Sequence, residues 1–315
     1  MRVLVTGGAG FIGSNLVNAL LTGGHAVGVI DDLSTGKSVN LHPHAWFRTL
    51  DILDPAMPAA VAEFAPEAVV HLAAQASVSV SIADPERDYA VNAYGTRAVA
   101  AAARAAGATR VISASSAAVY GEPDEALLPL LETAPKAPAN PYGVSKLAAE
   151  VLLAEELLGT GVDFASFRFA NVYGPRQDAS GEGGVVALFC AAMRVGEPPM
   201  VYGTGSQTRD FIYVGDIVGA IVAALHAEGP LGPEAGDAAA YNISTGDETS
   251  VNDLLRALRE TSEYWGAIES SPPRGGDVLR SSLSPAKAES VFGWVANQTL
   301  ASGLAMTWRW FASNS

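Results

Sequence analysis

Val3-Leu4-Val5-Thr6-Gly7-Gly8-Ala9-Gly10-Phe11-Ile12-Gly13-Ser14 runs from a short apolar strand through a glycine-rich turn into a helix. The helix is read from apolar residues at positions 12, 16, 17, 20 and 21, which keep a spacing of three to four. Glycine at Gly7, Gly10 and Gly13 permits a tight turn and close backbone approach. The first turn of such a helix offers unpaired N–H groups and a positive dipole end, a setting suited to a pyrophosphate. A strand before and a helix after form the context in which this glycine spacing carries meaning.

The next strand, Ala26 to Ile30, ends at Asp31, eighteen residues past Gly13. A carboxylate there accepts hydrogen bonds from an adenosine ribose and repels a 2′-phosphate, so NAD is favoured over NADP. Asp32, Leu33, Ser34, Thr35 and Gly36 form the polar loop that follows. Asp51 and Ile52 come after another extended segment, placed to hydrogen-bond an adenine. Ala68 to Leu72 is an apolar run leading to Ala73, Ala74 and Gln75, where small side chains let a cofactor lie close. A helix is predicted from Tyr89 to Ala106, carrying Asn92, before a strand at Arg110-Val111-Ile112. Strands and helices alternating over about 110 residues predict an α/β fold with a Rossmann, doubly wound parallel sheet.

At 315 residues, 49% hydrophobic and 17% charged, the chain has ample material for a buried core. A net charge of −14 argues against nucleic acid and anionic membrane as partners, so an anionic ligand needs locally placed arginines. A single cysteine, Cys190, excludes an intrachain disulfide and a cysteine-rich metal site. No apolar stretch reaches the roughly 18 residues of a membrane span. The chain enters its first strand at once, with no secretory core, and a soluble cytoplasmic protein is expected.

Tyr142-Gly143-Val144-Ser145-Lys146 is the second informative stretch. If residues 142–150 are helical, Tyr142 and Lys146 lie one turn apart on one face. A free phenol, with a pKa of about 10, is a poor base at neutral pH. A cation one turn away favours the phenolate, and an oxidised nicotinamide nearby adds to that effect. Ser115 and Ser116 follow the strand Val111-Ile112-Ser113, at the carboxyl end where open parallel sheets bind ligands.

Taken together, TGGAGFIG, DDLSTG, HLAAQ at 71–75, SSAAVYG at 115–121, NPYGVSK at 140–146, FANVYGPRQ at 169–177, QTRDFIYV at 207–214 and PPRGGD at 272–277 carry a resemblance. The chain resembles the extended short-chain dehydrogenase/reductase family and, within it, the UDP-glucose 4-epimerases. The resemblance implies that Tyr142 is the acid/base, Lys146 its electrostatic partner and nicotinamide-ribose binder, and Ser116 a donor to the sugar 4-hydroxyl. Ser115 would line the same pocket, Asn92 would lie near the nicotinamide, and Asn171 and Ala117 would face the substrate. Related dehydratases and decarboxylases carry acidic groups after the serine, whereas Ala117 and Ala118 cannot exchange a proton.

Beyond residue 177 the resemblance implies a smaller mixed α/β substrate-binding domain. Val185 and Val186 open a helix after a glycine-rich approach, and Met200 and Tyr202 lie on a short strand with Tyr202 stacked near the nucleotide base. Arg209 and Arg274 are the implied diphosphate binders and Asp277 the implied ribose contact. The domains expected are 1–176 with about 211–245 for NAD, and 177–210 with about 246–315 for the nucleotide sugar. Gly215 departs from the acidic residue usual at its place, and Ser281 leaves room beside the sugar. The implied reaction is C4 epimerisation of a UDP-hexose through a 4-keto sugar. A UDP-glucuronate epimerase using Arg176 or residues 178–184, a UDP-N-acetylhexosamine, GDP- or dTDP-sugar substrate, and a catalytically silent NAD sensor stay open. A homodimer through helices like 89–106 and 142–158 is also implied.

Overall fold

The computed structural model describes residues 1–179, 184–232, 236–273 and 278–314. The chain opens with β1 (Arg2–Thr6), α1 (Phe11–Thr22), β2 (Ala26–Asp31), β3 (Trp46–Thr49), α2 (Met57–Phe64) and β4 (Ala68–His71). Next come α3 (Val78–Ala83), α4 (Pro85–Tyr89), a π turn at Ala90–Tyr94 and α5 (Gly95–Ala105). β5 (Arg110–Ser116), α6 (Pro141–Leu157), β6 (Asp163–Phe169) and β7 (Asn171–Tyr173) follow. The remainder holds α7 (Val185–Arg194), β8 (Met200–Tyr202), β9 (Thr208–Arg209), β10 (Phe211–Tyr213), α8 (Val214–Leu225), β11 (Ala240–Ile243), β12 (Thr249–Ser250), α9 (Val251–Ser262), β13 (Glu269–Ser271), α10 (Ala286–Phe292) and α11 (Leu300–Ser313).

Seven strands form one sheet in the order β11-β6-β5-β4-β1-β2-β3, and every pairing in it is parallel. The central strands are buried on both faces, which is why they read as unbroken apolar runs: Val3, Leu4 and Val5 in β1 and Val69 and Val70 in β4 are fully enclosed. Strand order reverses between β1 and β4, where Thr6 lies opposite His71. Beyond those two residues leave the Gly7 turn and the Leu72–Gln75 segment, so the crevice outside the sheet's carboxyl edge opens between them. β11 joins the sheet beside β6 in parallel register, with Asn242 opposite Arg168.

A second core gathers Phe189 and Cys190 of α7, Leu254 and Leu258 of α9, and Leu304 and Phe311 of α11. Three two-stranded pairs, β10 with β7, β12 with β9 and β13 with β8, frame it. Cys190 is fully buried, and that burial pushes its thiol up to about 12.

The single helix predicted over 89–106 is interrupted by the π turn that carries Asn92. Gly95 follows it in contact with Ile52, where a Cβ would lie 2.5 Å from Ile52 Cδ1 and push that side chain aside. The widened turn sets Asn92 inward, buried beside α6.

Candidate active site

α6 begins with Asn140 as its cap, the side chain accepting from Gly143 N at 2.9 Å, and Pro141 in the first turn. A Cβ on Gly143 would lie 2.5 Å from Ala118 O, so only glycine lets the helix close onto the turn that follows β5. That closure brings Tyr142 and Lys146 to the strand end carrying Ser115 and Ser116. Lys146 Nζ donates to Ala114 O at 3.1 Å and lies 6.0 Å from the centre of the Tyr142 ring. Ser116 Oγ accepts from Ala118 N at 3.1 Å, which leaves its hydrogen to serve the phenol. Ser116 thus caps the turn and faces Tyr142 at once. Ala117 and Ala118 form the 3₁₀ turn itself and bring no proton donor to it.

Burial pushes the Tyr142 phenol above its ordinary value; the Ser116 hydrogen bond works the other way, and the Asp88 carboxylate pushes it up further. Burial brings the Lys146 ammonium down to about 8, against the opposing pull of Asp88 and Glu150. Burial is the largest of the influences on the phenol, and it works against the acidification expected from a cation one turn away. The ammonium is aimed at a backbone carbonyl, and the dry surroundings favour the neutral phenol.

On the other side of the crevice Gly7 adopts a φ of 72°, and a Cβ there would meet Ala73 N at 2.6 Å. A Cβ on Gly13 would meet Gly7 O at 2.1 Å. Gly10 caps α1 with no side-chain hydrogen bond, so no side chain takes the first-turn N–H groups beside Phe11 and Ile12. Asp31 is buried; its Oδ2 accepts from Ala9 N at 2.9 Å and its Oδ1 from Leu33 N at 2.8 Å, which ties the glycine turn to the loop after β2. Asp32 Oδ1 accepts from Ser34 N and Ser34 Oγ, and Thr35 and Gly36 continue that loop. Asp51 is exposed with Oδ1 accepting from Leu53 N, whereas Ile52 is buried under α5. Leu72, Ala73, Ala74 and Gln75 are half-buried along the opposite wall. An uncapped helix start, a carboxylate at the end of β2 and a wall of small residues fit a dinucleotide.

Asn92 spends its amide inside the protein: Oδ1 accepts from Gln75 N at 2.9 Å, and Nδ2 donates to Gln75 O at 3.0 Å and to Ser145 Oγ at 3.0 Å. Towards the second core, Asn171 is exposed at the start of β7, and Tyr202 and Arg209 are half-buried on β8 and β9. Arg209 Nη1 donates to Thr208 O at 2.7 Å. Val185 and Met200 are half-buried, and Val186 is fully packed in the core. Arg274 and Asp277 lie outside the described residues, as do 180–183. Arg176 turns to α1: with the Asn18 amide oxygen facing it, that oxygen accepts from Nη2 at 2.7 Å and Nη1 at 3.1 Å.

The model of the NAD-dependent epimerase/dehydratase family matches residues 3–243. The chain belongs to that family. A UDP-glucose 4-epimerase of Mycolicibacterium smegmatis is 43% identical, with 100% of each chain covered. Among solved structures, the UDP-glucose 4-epimerase of Thermotoga maritima with UDP-glucose matches with a TM-score of 0.94 at 39% identity, covering 99% of each chain. The Thermus thermophilus UDP-glucose 4-epimerase in complex with NAD matches with a TM-score of 0.91 at 39% identity over 100% of each chain.

Two polar clusters in this family member escape a reading of motifs. One joins Asp88, Ser145, Gln75 and Asn92. The other joins Ser115, Glu150, Arg168 and Tyr120. Arg168 had a signal, since it is a charge inside the apolar strand Phe167-Arg168-Phe169, and Glu150 stands one turn past Lys146. Asp88 had none, because Asp84-Pro85-Glu86-Arg87-Asp88 reads as a solvated charge run.

Proposed function

We propose that the protein is an NAD-dependent 4-epimerase that interconverts UDP-glucose and UDP-galactose. The meeting of Tyr142, Lys146 and Ser116 at the carboxyl edge of the sheet, with no acidic group at positions 117 and 118, carries this reading. The names of the relatives support the same sugar.

Bound NAD supplies the chemistry of taking a hydride from C4 and giving it back. Gly7, Gly10, Phe11, Ile12 and Gly13 would hold its pyrophosphate and Asp31 its adenosine ribose. Asp32–Gly36, Asp51, Ile52 and Leu72–Gln75 would enclose the rest. Tyr142 takes the proton of the 4-hydroxyl and returns it to the ketone oxygen, with Ser116 donating to that oxygen in between. Lys146 holds the nicotinamide ribose. Asn171, Arg209 and Arg274 would grip the diphosphate so that the hexose can turn over about it without leaving the site. Tyr202 stacks on the base and Asp277 holds its ribose. Val185 and Met200 would line the nucleotide side, with Val186 not lining it but packed behind them in the second core, and Ser281 leaves space beside the hexose. The bond between Arg176 and Asn18 speaks for a neutral C6 substituent and against a uronate.

Residues 1–176 with about 211–245 make up the cofactor domain in this reading, and 177–210 with about 246–315 the sugar-nucleotide domain. The protein works in the cytoplasm as a homodimer formed by α5 and α6, with Val144 and Val151 exposed on α6 and Leu158 exposed just past its end. Among the described residues no helix is long and apolar enough to cross a membrane.

Proton NMR of NAD-loaded protein with a panel of nucleotide sugars in heavy water tests the reaction. C4 inversion of UDP-glucose without deuterium uptake supports it. Deuterium at C5 would assign elimination chemistry instead, and no change with any sugar would leave a silent NAD-binding protein.

A further inference from the structure

Asp88 is a fully buried carboxylate that the steps above leave without a task. Its Oδ2 accepts from Ser145 Oγ at 2.5 Å, and its Oδ1 from Gln75 Nε2 at 2.6 Å and Asn92 Nδ2 at 3.2 Å. All three donors are neutral. Ser145 stands between Tyr142 and Lys146 on the same turn of α6, so the hydrogen bond locks this anion to the turn that carries both.

The other titratable groups around that turn can be assigned. From α6 come Tyr142, Lys146 and Glu150. Glu150 is neutralised by Arg168 of β6, at 2.6 Å from Nη2 and 2.9 Å from Nε. From β4 comes His71, which is uncharged. Thr96 Oγ1 donates to Asn92 O at 2.6 Å and therefore accepts from His71 Nε2 at 3.1 Å, while His71 Nδ1 accepts from Thr6 Oγ1 at 2.7 Å. Glu86 and Arg87 of α4 are exposed, and Asp237, which shares the Arg168 guanidinium at 3.2 Å, is paired with Lys136. Among the described buried groups of these elements, Lys146 and Asp88 are the ammonium and the carboxylate that have no charged hydrogen-bond partner of their own. The protein's own charge beside the phenol sums to nothing, and a third charge decides where the proton sits.

We propose that Asp88 is a positioning residue that keeps the proton on Tyr142 until an oxidised nicotinamide lies beside it. The inference rests on Tyr142 being the acid/base. While the nicotinamide is oxidised and positive, Lys146 and the ring together outweigh Asp88, and the phenolate is available to take the 4-hydroxyl proton. Once the C4–H electron pair has left as hydride the ring is neutral, Asp88 again cancels Lys146, and the proton is held on Tyr142 ready for the ketone. Hydride and proton return together, so atoms and electrons balance in both directions. One residue is thereby a base towards the alcohol and an acid towards the ketone. The upward push of Asp88 on both the phenol and the ammonium agrees with this placement.

Asp88→Asn removes the charge and can keep the bonds. An amide oxygen still accepts from Gln75 and Asn92, its NH2 donates to Ser145 Oγ, and the serine hydrogen turns to Tyr142 O at 3.0 Å. Ser145→Ala does the reverse, breaking the contact and keeping the charge. The readout is phenolate absorbance against pH, with and without NAD, with the Tyr142→Phe protein subtracted. We expect Asp88→Asn to lower the Tyr142 midpoint by about one pH unit in both forms, and the acid limb of kcat/KM to move equally, whereas Ser145→Ala shifts neither by more than about 0.3. Asp88→Ser carries the same expectation if the asparagine variant does not fold. An unmoved midpoint in the neutral variants, or an equal shift in Ser145→Ala, overturns the proposal. Turnover surviving in Tyr142→Phe would instead overturn the acid/base reading, since the absorbance titration reports on Asp88 either way.

Discussion

Ser115 Oγ donates to Glu150 Oε1 at 2.5 Å, which joins the strand end that carries Ser116 to the helix that carries Lys146. Arg168 grips the same carboxylate and donates to Tyr120 Oη at 3.0 Å and Glu132 O at 2.9 Å; Tyr120 in turn donates to Asn242 Oδ1 at 2.7 Å. One network thus ties β5, α6, β6 and β11 together behind the site. Burial works against the charge on Arg168, but the hydrogen bonds and attraction of Glu150 outweigh it and hold the guanidinium above its ordinary value.

Removing one partner from this network strands the other. Arg168→Leu should cost roughly 3–5 kcal/mol of unfolding free energy, because Glu150 is left as a buried, unpaired charge. The double change Arg168→Leu with Glu150→Leu should recover a measurable part of that loss. Urea denaturation of the wild type, the two single variants and the double checks both statements, and a double variant that loses less than the sum of the two singles would show that the pair itself stabilises.

Tyr142→Phe should lower turnover at least about 10³-fold while NAD stays bound, as read by retained nicotinamide after gel filtration. Ser116→Ala should cost about 10²-fold. Its hydrogen bond acts to lower the Tyr142 phenol, so its loss raises the phenol further. The acid limb of the Ser116→Ala pH profile should accordingly move to higher pH, opposite to the shift expected of Asp88→Asn.

Gly13→Ala and Gly10→Ala should separate folding from cofactor binding. A methyl at Gly13 would meet Gly7 O at 2.1 Å, whereas one at Gly10 has only Gly7 O at 3.2 Å as a neighbour. Gly13→Ala should lower the thermal midpoint clearly, by several degrees, through backbone displacement. Gly10→Ala should fold near normally and bind NAD more weakly, which calorimetric titration would show.

His71 gives the fold an acid limit. Burial holds its imidazole down to about 3, so the folded chain keeps it neutral where the unfolded chain, at about 6.5, binds a proton. Stability is therefore complete above about pH 6.5 and falls as pH drops towards 3, by up to roughly 4 kcal/mol. His71→Gln should flatten the unfolding free energy over that window.

Much of the fold was legible before any coordinates. Val3–Val5 and Val69–Val70 read as buried parallel strands because they are apolar without alternation, and the glycine turn announced the helix after β1. The helix that carries Tyr142 and Lys146 was read from the sequence from 142 onward, and the structure starts it at Pro141 with Asn140 as its cap. The interruption of the helix at Asn92 was not legible, since nothing local distinguishes a π turn from an α turn there; packing of Gly95 on Ile52 accompanies it.

The site divides in the same way. Tyr142 and Lys146 could be paired from sequence because a helix relates residues four apart by its own geometry, and Ser116 because a strand end is a local feature. Asp88, His71, Glu150 and Arg168 come from α4, β4, α6 and β6, and only the closing of these elements on one another gives them partners. Local hydrogen bonding is written into neighbouring residues, whereas the balance of charge in a dry interior depends on which distant groups are buried together. The chain's own letters determined the strand–turn–helix frame and the pairing of Tyr142 with Lys146 one helical turn apart. The tertiary structure decided the surroundings of Tyr142, because burial and the Asp88 carboxylate, which both push the phenol up, come from elements that meet only in the fold.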